Sequence, residues 1–265
     1  MKLYKGSKFL ITVRPKLTAA NVIAATTAND LVFNWTAFRF PKYPFAAKLT
    51  SVTAMVAGGD VTRVEEPFEL YFAQPNPDGT APPKLGVEHD VVSALEGGYY
   101  RNLLGSVSIL EEDFDDHIPF NAFAQISQAR NAVADIAAPG MILGSESLTS
   151  DNGQDTHTHL YVAGISSGTV IQGTNVDLNQ SGHQAATTTS TTIIVDTDPR
   201  KVFSIGDTIH AADGAEVGVL TGFGDAAGAD KATKLTFGGG ISEALTHQDE
   251  LINLQPLTFR FGFEA

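Results

Sequence analysis

The sequence predicts an all-β protein: a β-sandwich with a small β-barrel inserted before its last strand. Three observations carry this. Short runs rich in Val, Ile, Phe, Tyr and Thr, bounded by Gly, Pro, Asn and Asp, recur along the 265 residues. A Ser/Thr/Gly-rich stretch from Ser166 to Thr192 interrupts them. The final strand, after Pro256, matches the first part of the chain in length and aromatic content, not the segment just before it.

Taken in order, Phe9, Ile11 and Val13 alternate with Leu10, Thr12 and Arg14, and Phe33, Trp35 and Ala37 with Asn34, Thr36 and Phe38. Val52, Ala54 and Val56 alternate with Ser51, Thr53 and Met55, and the run ends at Gly58-Gly59. Phe68, Leu70 and Phe72 alternate with Glu69 and Tyr71 before the breaker Gln74-Pro75-Asn76-Pro77-Asp78-Gly79. Leu257, Phe259, Phe261 and Phe263 alternate with Thr258, Arg260, Gly262 and Glu264. Such alternation describes strands with one wet and one buried face. Helical signal is confined to Ser127–Ile136, which stops before Pro139-Gly140, and to Val91–Leu104, which Gly97-Gly98 interrupts.

From Thr187 to Thr192 the chain is Thr and Ser alone, so residues 169–189 read as a polar linker. Short strands follow at Ile193–Val195, Phe203–Ile209, Val217–Leu220, Leu235–Phe237 and Leu251–Leu254, with Asp213-Gly214 as a two-residue hairpin turn. Residues 190–255 are therefore expected to form the small barrel. Residues 1–168 with 256–265 are expected to form the sandwich, its first and last strands lying together.

Composition limits the function. The chain has no cysteine, which removes disulfides, thiolate zinc sites and cysteine nucleophiles. No apolar run approaches the ~20 residues of a membrane helix. After the basic Met1–Lys5, the run Phe9–Val13 is too short for a signal-peptide core. A net charge of −13 argues against nucleic acid as a partner. The distribution is uneven: residues 1–50 hold eight Lys/Arg and one acid, +7, and the remainder nine basic and 29 acidic residues, −20. A basic first segment on an acidic body suits an acidic partner surface.

Chemical motifs are sparse. His157 and His159 share a strand face near Asp151 and Asp155, but zinc needs three or four ligands, so they read as a polar entry to the strand at Leu160. Glu111-Glu112-Asp113-Phe114-Asp115-Asp116 lacks the alternation and Gly of a calcium loop and reads as a solvated or docking surface. Gly238-Gly239-Gly240 and Gly222-Phe223-Gly224 lack the Lys-Ser/Thr of a phosphate loop and read as turns. There is no Gly-x-Ser-x-Gly elbow and no His-Glu-x-x-His pair. Trp35, Tyr43, Phe45, Tyr99 and Tyr100 have the ring chemistry of a sugar-binding surface, although core packing accounts better for Trp35. The expectation is a protein that is not an enzyme and needs neither cofactor nor metal.

Three stretches carry a resemblance: Phe68–Phe72 with its Pro/Asn/Gly loop, Leu103–Ile109, and Leu160-Tyr161-Val162-Ala163-Gly164-Ile165-Ser166-Ser167-Gly168-Thr169. The chain resembles virion structural proteins of tailed bacteriophages, especially marine ones, in which a similar run leads to a terminal strand ending in Leu-Gly-Phe. Phe261-Gly262-Phe263 stands in that place here, after the extra barrel, and Ile205–Gly218 resembles small β modules of the same proteins. These parts cover roughly two thirds of the chain.

The resemblance implies that the sandwich is jelly-roll-like and that the chain is a homotrimeric capsid decoration or cement protein, made in the host cytoplasm and placed on the virion exterior, with the major capsid protein shell as partner. The alternative is a glycan-binding host-recognition module of a tail or fibre. The resemblance brings no catalytic residues. The residues expected to dock are basic or aromatic and lie early in the chain: Lys2, Lys5, Lys8, Phe38, Arg39, Phe40, Lys42, Tyr43 and Phe45. Aromatic and Arg side chains are enriched at interface centres.

Overall fold

The computed structural model describes residues 7–23, 25–41, 46–57, 67–92, 101–114, 121–127, 142–144, 157–168, 170–171, 176–177, 186–195, 198–225, 232–246 and 249–265. In chain order these form β1 (Lys8–Val13), the short helix α1 (Ala19–Ile23), β2 (Ala25–Thr26), β3 (Leu31–Pro41), β4 (Ala46–Ala57), β5 (Phe68–Ala73), β6 (Leu103–Ile109), β7 (Asn121–Ser127), β8 (Ile142–Gly144) and β9 (His157–Ser166). There follow β10 (Val170–Ile171), β11 (Val176–Asp177), β12 (Thr192–Ile194), β13 (Thr208–Ala211), β14 (Glu216–Asp225), β15 (Ala232–Phe237), β16 (Glu250–Asn253) and β17 (Leu257–Glu264). The protein is all-β.

Two antiparallel sheets form a sandwich. One has the order β1-β17-β4-β7, with β8 against the start of β4; the other is β3-β9-β5-β6. The pairing is nested: β1 with β17, β3 with β9, β4 with β7, and β5 with β6. Alternation fixes what lies between the sheets. Val52, Ala54 and Val56 of β4, Leu70 and Phe72 of β5, Leu160 and Val162 of β9, and Phe259, Phe261 and Phe263 of β17 belong to one buried cluster. Rings bridge the layers: Phe261 lies 5.7 Å from Phe38 and 5.1 Å from Phe72, and Phe263 lies 5.3 Å from Phe40. Each such pair adds about 0.5–1.5 kcal/mol beyond area burial. Gly164 on β9 sits opposite Phe33 on β3, where a Cβ would collide with the Phe33 ring.

In β3 the expected alternation breaks. The register to β9 shifts between Leu31 and Phe33 and again between Phe33 and Thr36. A bulge of this kind changes which residues face inward. Phe33 points to the core, Trp35 joins a separate cluster with Leu31, Leu85 and Ala163, and Phe38 and Phe40 turn inward. The segment 169–189 also differs from a plain linker. Its β-branched Val170-Ile171 pairs with β2, and Val176-Asp177 pairs with β16. The sequence-predicted helix at 127–136 lies outside the described residues beyond Ser127, which ends β7.

The insert is a six-stranded antiparallel half-barrel in the order β11-β16-β13-β14-β15-β12. Its buried cluster is mainly aliphatic: Ile193, Val195, Ile209, Val217, Leu220, Leu235, Ile241 and Leu251, with Phe203 and Phe237. The strand expected over Phe203–Ile209 starts only at Thr208. Asp207 draws the preceding residues into a turn by accepting the Ser204 N–H at 2.9 Å. Four residues, Ala212 to Ala215, join β13 to β14, and the Ala211 N–H donates to the Ala215 carbonyl at 2.9 Å, which closes a three-residue loop from Ala212 to Gly214. Gly214 takes the left-handed conformation such a turn needs, with φ 90°.

The insert shares a wall with the sandwich. Leu251 of β16 faces the insert cluster, whereas Ile252 and Leu254 belong to the sandwich cluster with Leu17 and Val22. The Leu17 N–H donates to the Leu254 carbonyl at 2.8 Å. Arg14, just after β1, reaches the buried Asp207 carboxylate at 2.9 Å, and Asn253 Nδ2 donates to the same carboxylate at 3.0 Å. Arg14 and Gln255 also exchange hydrogen bonds: each side chain donates to the other's carbonyl, at 3.1 Å in both directions.

Candidate docking surface

Among the described residues, the register gathers Lys8, Lys48 and Arg39, with Glu264, at one end of the sandwich. Lys8 on β1 stands beside Glu264 on β17, Glu264 beside Lys48 on β4, and Lys48 beside Ile142 on β8. Their neighbours Phe9, Phe263, Leu49 and Leu143 face the core or pack against it, so this row faces outward. Lys8 and Lys48 are exposed, and Ile142 is 69 % exposed. On the other sheet, Arg39 pairs with His159 and Pro41 with His157 at the matching level. Phe40, between Arg39 and Pro41, packs on Phe9 at 5.9 Å and Phe263 at 5.3 Å, which ties the two rows across the sandwich.

Among the expected docking residues, Lys8 and Arg39 come to this end and are exposed. Phe38 and Phe40 do not serve as surface anchors. They are 5 % and 0 % exposed, because the β3 bulge turns them between the sheets. Lys2, Lys5, Lys42, Tyr43 and Phe45 lie outside the described residues, as do Tyr99 and Tyr100. Lys48, Glu264 and Ile142 complete the row although nothing local in the sequence connects them. Their juxtaposition depends on strand register across the whole chain.

The insert leaves from the opposite end, where β1 stops and β17 begins. Along the eight residues of β17, the two ends stand about 26 Å apart. Residues 190–255 carry ten acids against four bases, −6. The acidic turn at Glu111–Asp113 also lies far from the basic row, since it follows Ile109, the β6 residue paired with Phe68 at the Ser166 end of β9.

Other candidate groups have structural partners. Trp35 donates from Nε1 to the Pro83 carbonyl at 2.8 Å and is half buried under the 74–92 loop. Asn34 pins that loop by donating from Nδ2 to the Gly86 carbonyl at 2.9 Å and accepting the Leu85 N–H at 3.2 Å. His159 is exposed on β9, and Asp151 and Asp155 lie outside the described residues. Among the described residues, no group of three or more His, Asp or Glu is placed to hold a metal ion. No helix among them is long and apolar enough to cross a membrane. Comparison with protein-family models, with curated proteins and with solved structures returned no match to this chain.

Proposed function

We propose that this protein is a virion structural protein with a jelly-roll sandwich, a trimeric decoration or cement protein of a phage head shell. In this reading it docks on the major capsid protein through its basic end and displays the insert outward. The observation that carries it is the placement of the Lys8–Glu264–Lys48–Ile142 row and Arg39 at one end of the sandwich and the acidic insert at the other. A carboxylate-rich shell surface attracts the first end and repels the second, so the field selects one orientation during encounter. Nested pairing of first strand with last, and inward to the central hairpin, supports reading the sandwich as a jelly roll, an architecture found in capsid and lectin domains. Fold alone does not decide function. The docking reading therefore rests on the charged end.

Imaging of purified particles tests it by position and copy number. Many copies spread over the head are expected. A handful confined to the tail would replace this reading with the glycan-binding fibre module. Absence from the particle would overturn both.

A further inference from the structure

We propose that His210 is an acid-operated release for the insert, proton uptake on its imidazole loosening the packing of the half-barrel against the sandwich. The inference starts from strand parity at the shared wall. On β13, Ile209 and Ala211 face the insert cluster, which leaves His210 on the opposite side. Its cross-strand neighbour on β16 is Ile252, a member of the sandwich cluster. His210 is 5 % exposed, and Nδ1 lies 3.2 Å from the carbonyl of Thr208. An ionisable group is thus enclosed within the seam between the two parts.

Charged groups surround it from each adjoining element. Lys16 comes from the segment between β1 and α1, and Glu216 is its partner on β14. Glu250 lies two residues before Ile252 on β16, at the same parity. Arg14 and Asp207 also border the seam but neutralise each other at 2.9 Å. Burial first, and then the Lys16 charge, hold the imidazole below its ordinary value of 6.5, against the opposing pull of the Thr208 carbonyl and Glu216. A base depressed in the closed state favours closure fully above its open-state value, and that contribution fades as pH falls below it. One pH unit below an ordinary histidine value, proton binding favours the open seam by up to about tenfold.

Opening has a specific reporter, the Leu17 amide, which donates to the Leu254 carbonyl across the seam. Hydrogen exchange on the full chain, corrected for intrinsic rates, would compare Leu17 with Phe261 in the sandwich ladder at about pH 7.5 and about pH 5.5. The expected result is a loss of Leu17 protection at the lower pH, of at most about tenfold, with Phe261 protection retained. His210→Gln should abolish the loss. Lys16→Gln should shrink it, since removing that charge brings the closed-state imidazole nearer its ordinary value; this variant serves if His210→Gln does not fold. Unchanged Leu17 protection at the lower pH would overturn the proposal. So would an equal loss in His210→Gln or in Lys16→Gln.

Discussion

The sandwich core sets phenylalanines gathered from both ends of the chain among its aliphatic side chains, whereas the insert core is mainly aliphatic and its residues lie close together in sequence. Lys8 pairs with Glu264 and Val13 with Phe259, so the sandwich is completed by its last strand. The insert cluster lies wholly between Ala186 and Leu251. Non-local pairing carries the larger loop-closure cost and forms later. The difference suggests a division of labour. The insert can gain its core from local contacts, while the sandwich depends on a ring ladder that only β17 supplies.

The strongest way to break this comparison is to remove one side of it. Replacing residues 172–254 with a short Gly/Ser linker takes Ile252 and Leu254 from the sandwich cluster and uncovers Leu17 and Val22. Losing large apolar side chains from a core costs about 2–5 kcal/mol each. The expected product is a monodisperse sandwich that still melts cooperatively, at a markedly lower denaturant midpoint. Aggregation of this variant would show that the shared wall makes the two parts one folding unit.

Phe261→Ala acts on the sandwich alone. Phe261 touches Phe38, Phe72 and Phe259, and truncating a buried Phe costs about 3–5 kcal/mol. Denaturant titration should then show two transitions, with the insert unfolding last. A single shifted transition would contradict the division between ring-built and aliphatic cores. A smaller effect is expected at Gly164→Ala, where the added methyl meets the Phe33 ring. Overpacking of this kind costs about 1–3 kcal/mol, and the double variant with Phe33→Leu should recover part of the loss. No recovery would remove Phe33 as the cause.

How far the sequence reveals these features depends on the range of the interactions that set them. The alternation in β4 and β17 was legible because one wet and one dry face leave a period of two in the residues themselves. In β3 the same rule failed at Trp35, Phe38 and Phe40, since its bulges respond to the partner strand β9 and leave no mark in β3's own pattern. The turn at Asp213-Gly214 was legible as a turn, but its length followed from the Ala211–Ala215 hydrogen bond. Lys8 and Arg39 were legible as basic residues early in the chain. Their convergence with Lys48, Glu264 and Ile142 was not, and neither was the Arg14–Asp207 contact between residues 193 positions apart.

The basic end carries the functional account, and its charges can be removed without touching the core. Co-sedimentation with particles stripped of their surface proteins, across a salt series, would compare the wild type with the triple variant Lys8→Gln, Lys48→Gln, Arg39→Gln. A protein lacking residues 1–7 would test the contribution of Lys2 and Lys5 in parallel. Exposed charges act through a screened field, so the wild type should bind progressively less as salt rises. The triple variant should bind about tenfold more weakly at low salt, a change of about 1.4 kcal/mol, with a flatter salt dependence. Equal binding by wild type and triple variant at every salt concentration would contradict the account.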